Sequence, residues 1–419
     1  MVSKSKFLGL SFLLVVLFPL LPKIFGNNSQ HILILGVTLA GFNLILNWKG
    51  LTIKEATRLL YFKILLLLLL LSFLFDFYRS GYSLNFNNLL PLTKPIYLGL
   101  FFLLGYATRL NTSKIIYGIS SLTRIFVFLG FTFSIAEIYF LDYIKDLLYL
   151  FFKREERGVL LDKSTTWFGV TYYSGFFWLM AFMFSINMNI YRENKKRWVL
   201  MAGASLTPLL LSQSRTIIVA FLLGLFIMFI DTKSFVNNTS LKRKLTRLPL
   251  FIVLTIVGFY FFNNYYSEIK ESFGYVLNTF ELLITGDFYL SGSLMARLDQ
   301  VIYAIDTNKN VLIGWGLGRE LPLESIYSAY YYRYGLVFLI ITITLILSIS
   351  LKMRKLIQKN PPNDVKSYCK AMYLILIVSP IAFFASPILE TPKIGLIYFF
   401  LIGFSLRIYE NTKYYNSTL

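Results

Sequence analysis

Long apolar runs separated by short polar segments make up most of the 419-residue chain. The runs, such as Leu59 to Phe77 with its leucine-rich residues 64–71, approach the roughly 20 apolar residues that a helix needs to cross a bilayer core of about 30 Å. They lack the alternation of an outer-membrane β-barrel, and open backbone structures are excluded from lipid. The pattern therefore predicts an all-α polytopic membrane protein with a single integral membrane domain over residues 1–419.

The apolar runs predict about twelve transmembrane helices. They span approximately Phe7 to Ile24, His31 to Trp48, Leu59 to Phe77, Pro95 to Thr108, Ile116 to Leu141, Trp167 to Ile190, Trp198 to Leu211, Thr216 to Ile230, Leu248 to Phe262, Ser325 to Leu351, Ala371 to Ser386 and Ile394 to Arg407. The first run follows two lysines as in a signal peptide. It contains two prolines and no A-x-A-like cleavage site follows it, so a retained helix is expected.

Basic residues concentrate in every second polar segment. By the positive-inside rule these segments face the cytoplasm, which predicts that both termini are cytoplasmic. Two longer segments then face the outside, residues 142–166 and the large loop of residues 263–323 between the ninth and tenth helices. Within that loop, residues 269–283 and 294–305 have the apolar spacing of short amphipathic helices that lie on a membrane surface.

The charge balance and the rarest residue types exclude several classes of function. The formal net charge is +20, yet the basic residues are spread over the cytoplasmic segments, where they attract anionic lipid rather than nucleic acid. One cysteine and one histidine make neither a disulfide framework nor a metal cluster. We therefore expect no metal, no cofactor and no nucleic acid, with membrane lipid as the surrounding partner.

A mostly polar stretch from Gly286 to Ile340 interrupts the apolar pattern and supplies the candidate chemistry. Arg297 lies in this stretch, and Arg215 follows Ser214 at the predicted external end of the eighth helix. A cation at the edge of the apolar layer is costly unless it meets an anion, although an arginine there also serves as a snorkelling anchor. Two guanidiniums on one water-facing surface can hold a diphosphate through paired hydrogen bonds.

Three glycines and one carboxylate complete the candidate site. Gly314, Gly316 and Gly318 lack the preceding strand and the Gly-Lys-Ser/Thr of a nucleotide loop, so they are expected to allow a tight turn and a close approach to a ligand. Glu324 stands at the start of the tenth helix. There it either caps the helix or acts as a general base that takes a proton from a sugar hydroxyl.

In this order the motifs resemble the O-antigen ligase and O-antigen or capsular polysaccharide polymerase family. The resemblance covers roughly Thr165 to Leu351 and rests on Ser-x-Ser-Arg at 212–215, Arg-x-x-Gln at 297–300, Gly-Trp-Gly-x-Gly at 314–318 and Tyr-Gly-Leu at 334–336. Ligases tend to carry a histidine followed by asparagine where this chain has Glu324 and Ser325. An acidic residue followed by serine is common there in polymerases, so the resemblance favours a polymerase.

The family implies a GT-C-like glycosyltransferase of the bacterial cytoplasmic membrane that needs no metal and works on the outer side of that membrane. Its donor and acceptor are glycans carried on undecaprenyl diphosphate, and its product is a cell-surface polysaccharide such as O-antigen, capsule or exopolysaccharide. The resemblance implies that Arg215 and Arg297 bind the donor diphosphate and that Gly314, Gly316 and Gly318 shape the loop above it. A flippase or a chain-length regulator is the kind of protein partner expected.

Further residues are expected to line the same site. The additional candidates for substrate binding are Ser214, Gln300, Arg319, Tyr327, Arg333 and Arg157. Tyrosine is abundant, however, and interfacial belts of aromatic residues are usual in membrane proteins. Glu390 and Lys393, in the last predicted external turn, are close enough in sequence to pair with each other.

Two other functions are compatible with the same pattern. A ligase would transfer the glycan to a different acceptor, and a flippase or transporter of lipid-linked sugars also has about twelve helices with both ends inside. Transporters commonly show two related halves and charged residues at mid-membrane. Here the halves look unrelated and the strongest polar constellation lies at one surface, so the glycosyltransferase interpretation is preferred.

Overall fold

The computed structural model describes most of the chain after residue 59. The described residues are 60–79, 98–108, 112–144, 163–191, 195–230, 278, 281, 282, 285, 286, 292–308, 310–316 and 323–415. Throughout these residues the regular structure is helical, and none of them forms a strand. The predicted all-α class is confirmed for this part of the chain.

Ten α-helices and two 3₁₀ turns are named below. The helices are α1 Leu60–Arg79, α2 Leu98–Ala107, α3 Thr112–Tyr139, α4 Thr171–Tyr191, α5 Lys195–Leu211, α6 Arg215–Ile230, α7 Gly292–Thr307, α8 Ile326–Gln358, α9 Asn363–Ala382 and α10 Pro392–Tyr415. The 3₁₀ turns are Thr166–Phe168 and Ile388–Glu390. Each predicted helix in the described residues corresponds to one of these, and α7 corresponds to the predicted amphipathic segment 294–305.

The predicted and observed helices differ most at the start of α9 and at the C-terminal ends of α8 and α10, which extend beyond the predicted Leu351 and Arg407 to Gln358 and Tyr415. Helix α9 begins at Asn363, directly after Pro362, although the apolar run suggests a start at Ala371. The early turns were missed because they are rich in polar residues. Helix α4 begins at Thr171, because Gly169 takes a left-handed φ of 71° and separates the preceding 3₁₀ turn from the helix.

Four described helices are long and apolar enough to cross a membrane, judged by length and composition. They are Thr112–Tyr139, Ile326–Gln358, Asn363–Ala382 and Lys393–Asn411. Helix α9 is the central one. In its apolar 18-residue stretch 83% of the residues are buried, against 33% for α3, and α9 packs against α4, α6 and α8. Three predicted spans, Phe7 to Ile24, His31 to Trp48 and Leu248 to Phe262, lie outside the described residues. The total of twelve spans, the extent of the large loop and the orientation stay predictions.

Helix α8 is broken at Gly335, whose φ of 83° lies in the left-handed region. Such a break frees backbone groups, which are costly to leave unpaired in apolar surroundings. The N–H of Trp315 donates to the Tyr332 carbonyl oxygen at 2.6 Å, and the N–H of Leu336 donates to the Val311 carbonyl oxygen at 2.8 Å. The segment that follows α7 therefore completes the hydrogen bonding of the broken helix.

The end of α7 is attached to the same turn of α8. The Asn308 side-chain amide donates to the Tyr331 carbonyl oxygen at 3.1 Å. The Arg333 carbonyl oxygen accepts from the Ser72 hydroxyl of α1 at 2.8 Å and from the Gly316 N–H at 3.1 Å. Helices α1 and α7 thus converge on one turn of α8, and this attachment determines where α7 carries its side chains.

Candidate functional site

One end of the helix bundle brings together several helix termini that are distant in sequence. The N–H of Ser164, which precedes α4, donates to the Leu211 carbonyl oxygen at the end of α5 at 2.9 Å. The N–H of Ile326, at the start of α8, donates to the Phe383 carbonyl oxygen after α9 at 3.1 Å. The starts of α4 and α8 therefore lie at the ends of α5 and α9, where most of the predicted site residues are found.

Helix α7 and the start of α8 bring Arg297, Gln300 and Glu324 together. A terminal guanidinium nitrogen of Arg297 lies 3.6 Å from a carboxylate oxygen of Glu324. The side-chain oxygen of Gln300 accepts a hydrogen bond from the Glu324 N–H at 2.7 Å. Because Arg297 and Gln300 are three residues apart, both lie on the face of α7 that meets α8. Three predicted site residues therefore form one contiguous group.

The charges of this group differ in exposure. The Arg297 side chain is 10% exposed and the Glu324 side chain 51% exposed. At 3.6 Å the contact exceeds the length of a charge-assisted hydrogen bond, so the two groups attract without binding each other tightly. The carboxylate of Glu324 is thus open to solvent, beside a cation that is nearly enclosed by protein.

Tyr172 of α4 forms the other side of the Arg297 environment. The Tyr172 hydroxyl accepts a long hydrogen bond of 3.4 Å from the guanidinium, whose central carbon lies 5.7 Å from the centre of the Tyr172 ring. The Nε of Arg297 is buried and has no hydrogen-bond partner among the residues that the structure describes. The cation therefore keeps donor capacity that an anionic ligand can use.

The helix α8 is capped by Ser325 rather than by Glu324. The Ser325 hydroxyl accepts from the Tyr327 N–H at 3.2 Å, and Ser325 has the extended conformation of an N-cap residue. Glu324 precedes the cap, so the alternative interpretation of Glu324 as the capping acid is wrong. Its carboxylate is available for other contacts near the positive end of the helix.

Ser214 and Arg215 lie at the start of α6, beside the same face of α4. The Ser212 hydroxyl lies so close to Gly175 that a Cβ there would be only 2.7 Å away. Gly175 and Tyr172 are three residues apart and share a face of α4, which places the turn before Arg215 about one helical turn from the Arg297 contact. The Ser214 hydroxyl oxygen is buried and has no hydrogen-bond partner within the described part of the chain.

The glycine segment contacts α8 in the structure. Gly314 has a φ of 85°, and a Cβ at this position would collide with the backbone of Arg333 and Gly335. Gly316 has a φ of 104° and donates to the Arg333 carbonyl oxygen. Packing against the broken helix thus accounts for both glycines. Their predicted position above a ligand stays a prediction, and the predicted site residues Gly318, Arg319 and Arg157 lie outside the described residues.

Arg333 and Tyr327 have partners inside the protein. One terminal nitrogen of the Arg333 guanidinium contacts both carboxylate oxygens of Glu390, at 2.7 and 2.8 Å. The Tyr327 hydroxyl donates to the Pro380 carbonyl oxygen at 2.5 Å. The expected pairing of Glu390 with Lys393 is therefore wrong, since the ammonium of Lys393 donates instead to the Trp167 carbonyl oxygen at 2.8 Å.

Sequence reasoning missed two residues that the structure places at this end of the bundle. Tyr172 is one of 29 tyrosines, and nothing in the sequence separates it from its neighbour Tyr173. Glu137 is 2% exposed and accepts hydrogen bonds from the segment before α4. A lone carboxylate in an apolar run is a signal that sequence reading can detect, because such a group is costly in a membrane unless it is paired.

The arrangement can hold an anion at Arg297 while an exposed carboxylate stands beside it. Such a site suits a reaction in which negative charge builds up on a leaving group and a proton is lost from a nucleophile. No protein-family model matches the chain, and no curated protein matches it either.

Proposed function

We propose that this protein polymerises oligosaccharide repeat units that are linked to a lipid diphosphate, by inverting glycosyl transfer outside the cytoplasmic membrane. The observation that carries the proposal is the group of Arg297, Gln300 and Glu324, in which a nearly enclosed guanidinium with donor capacity lies beside an exposed carboxylate. The predicted topology and the family resemblance supply the membrane side and the substrate class.

The donor diphosphate would bind at the two arginines. Arg297 supplies an enclosed cation. Arg215 is the first residue of α6, and the start of α6 lies beside α4. The diphosphate leaves with the electron pair of the bond to the anomeric carbon, so it needs charge neutralisation more than it needs a proton. Removing one preorganised donor of this kind typically costs about 3 to 4 kcal/mol of barrier.

The acceptor hydroxyl would be activated at Glu324. Its oxygen attacks the anomeric carbon from the face opposite the diphosphate, the new carbon–oxygen bond inverts the centre, and the hydroxyl proton passes to the Glu324 carboxylate. The Gln300 side chain holds the backbone of Glu324, which keeps the carboxylate next to α7. Proton transfer of this kind contributes typically about 10²- to 10⁴-fold. The lipid tails of both substrates stay in the bilayer, so the site needs to accommodate only the headgroups.

The experiment is a complementation test in cells that lack the protein. Arg215→Ala, Arg297→Ala and Glu324→Gln variants are expected to insert in normal amounts and to leave single lipid-linked repeat units outside the membrane. Asp306→Asn is the matched control, because it neutralises an exposed carboxylate on α7 away from the proposed site, and full-length polymer is expected from it.

The lipid-linked products separate the proposal from its alternatives. Full-length polymer from all three site variants would show that the site is wrong. Repeat units trapped on the cytoplasmic face of cells without the protein would indicate a flippase. Long polymer that stays on its lipid carrier would indicate a ligase.

A further inference from the structure

A short buried segment before α4 connects the two halves of the candidate site. Residues 164–168, here called the junction segment, include Ser164, Thr165 and Thr166, which are all fully buried. Thr166 has a φ of 45°, a left-handed conformation that is unfavourable for a β-branched residue. Such a conformation persists only where surrounding contacts enforce it.

The carboxylate of Glu137 on α3 holds the first part of the junction segment. It accepts hydrogen bonds from the backbone N–H groups of Thr165 and Thr166, each at 3.0 Å. It also accepts from the hydroxyl groups of Ser164 and Thr165, each at 2.9 Å. Glu137 is 2% exposed, so these donors replace the water that would otherwise solvate its charge.

A buried cation holds the other part of the junction segment. The ammonium of Lys393 at the start of α10 donates to the Trp167 carbonyl oxygen at 2.8 Å and lies 5.7 Å from the centre of the Phe168 ring. Lys393 is 1% exposed. An anion thus binds the N–H groups of Thr165 and Thr166, and a cation binds the carbonyl group of the next residue, Trp167. Each buried charge therefore meets the end of the local peptide dipoles that has the opposite sign.

The junction segment is attached to both sides of the candidate site. Ser164 donates from its N–H to the Leu211 carbonyl oxygen, four residues before Arg215. Tyr172, which contacts Arg297, lies in the first turn of α4, the helix that follows the segment. A displacement of the junction segment would therefore move the environments of both arginines.

We propose that Glu137 and Lys393 are positioning residues that hold the junction segment between them and thereby set the relative positions of Arg215 and Arg297. The consequence for catalysis rests on the proposed function, whereas the mechanical link between the segment and α7 does not. Both charges act through other residues and neither is required to touch the substrate.

The first test measures amide hydrogen exchange of the full-length protein in lipid nanodiscs. Glu137→Gln keeps the shape of the side chain but removes its charge and one of its two acceptor oxygens, and Lys393→Met removes the cation from the other side. In each variant we expect exchange in peptides covering residues 163–172 to quicken by about tenfold or more, because buried hydrogen bonds to charged groups are lost. Exchange in α7 should rise as well, because Tyr172 no longer supports Arg297.

Tyr368→Phe is the matched control. It removes a buried hydroxyl that donates to the Leu401 carbonyl oxygen at 2.9 Å, between α9 and α10 and away from the junction segment. This variant should lower stability without changing exchange in residues 163–172 or in α7. Unchanged exchange of residues 163–172 in both Glu137→Gln and Lys393→Met overturns the proposal, and so does exchange that rises there but not in α7.

The second test separates positioning from general stability in the proposed reaction. When rates are expressed per folded molecule, Glu137→Gln should raise the KM for the lipid-linked donor by about fivefold or more. A loss of roughly 1 kcal/mol in the free energy of donor binding has that effect. A loss of active molecules with an unchanged KM overturns the positioning role. If the wild-type protein transfers no glycan, the proposed function fails, and the exchange of α7 alone decides whether Glu137 and Lys393 set the position of Arg297.

Discussion

Within the described part of the chain, one arginine–glutamate pair lies at the break in α8 and another lies at the start of this helix, and the two differ in length and in exposure. Arg333 and Glu390 approach to 2.7 Å, with side chains only 18% and 11% exposed. Arg297 and Glu324 approach only to 3.6 Å, and the glutamate is 51% exposed. The same pair of residue types thus forms a closed contact at the break in α8 and an open one at the start of that helix.

The difference shows which arginine has capacity for a ligand. The guanidinium of Arg333 satisfies a carboxylate that would otherwise be buried without a counter-charge, so its use by a substrate would cost the protein that contact. Arg297 has long contacts, and its Nε has no hydrogen-bond partner among the described residues. We infer that the pair of Arg333 and Glu390 stabilises the fold, whereas Arg297 and Glu324 are available for chemistry.

The largest expected effect comes from breaking the closed pair. Arg333→Met leaves the Glu390 carboxylate buried without its cation, which should lower the free energy of unfolding by about 3 to 5 kcal/mol. Denaturant unfolding of the purified protein in detergent measures this. The double variant Arg333→Met with Glu390→Leu removes both charges and should recover most of the loss. An Arg333→Met protein as stable as wild type would contradict a structural role for this pair.

The open pair should respond in the opposite way. Arg297→Met is expected to change the free energy of unfolding by about 1 kcal/mol or less, because Glu324 regains water when the cation is removed. The rate of the proposed transfer should fall by about 10²- to 10³-fold. Transfer assays and unfolding curves on the same preparation check this prediction. A variant that loses stability but keeps its rate per folded molecule would place Arg297 in the same structural class as Arg333.

The break in α8 provides the next test. Gly335→Ala puts a Cβ on a residue with a φ of 83° and against the backbone of Leu312. The free energy of unfolding should therefore fall by about 2 kcal/mol. Gly203→Ala is the control, since Gly203 lies in α5 and a Cβ added there would meet open space, and it should be neutral or slightly stabilising. Equal thermal unfolding temperatures for the two variants would show that the break is not strained by a side chain.

The smallest effects are expected at the middle of α7 and at its C-terminal end. Gln300→Leu removes the acceptor for the Glu324 N–H and should slow transfer by about fivefold, or roughly 1 kcal/mol, with little change in stability. Asn308→Leu removes the bond to the Tyr331 carbonyl oxygen and should instead lower stability by about 1 kcal/mol. Measuring both quantities for both variants sharpens the contrast. A reversed pattern would mean that Gln300 supports the fold and Asn308 supports the site, which would contradict both assignments.

The helices were largely predictable from the apolar runs. Hydropathy located α5 and α6 to within a few residues, because their composition differs sharply from that of their neighbours in sequence. It failed at the start of α9, where the polar turns before Ala371 are helical and mostly buried. Burial of polar residues depends on which helices surround them, and that information is not local.

The candidate site was predictable in part. Arg297, Gln300 and Glu324 were selected from residue type and order, and the structure brings them together. Arg333 was selected for the same reason, yet it is paired with Glu390. Glu137 was overlooked, although its position in an apolar run marks it as unusual.

Composition and spacing suffice to predict a helical, apolar protein with arginines and a carboxylate near helix ends, because these properties depend on neighbouring residues. The partner of each arginine depends on packing between distant segments. Arg333 meets a glutamate 57 residues away, and Arg297 meets a tyrosine 125 residues away. Hydrogen bonds and close ion pairs need contact within a few ångströms, and the arrangement of the helices sets the distance from each arginine to its partner. Only the folded structure therefore distinguishes Arg333, which is already paired, from Arg297, which keeps capacity for an anion.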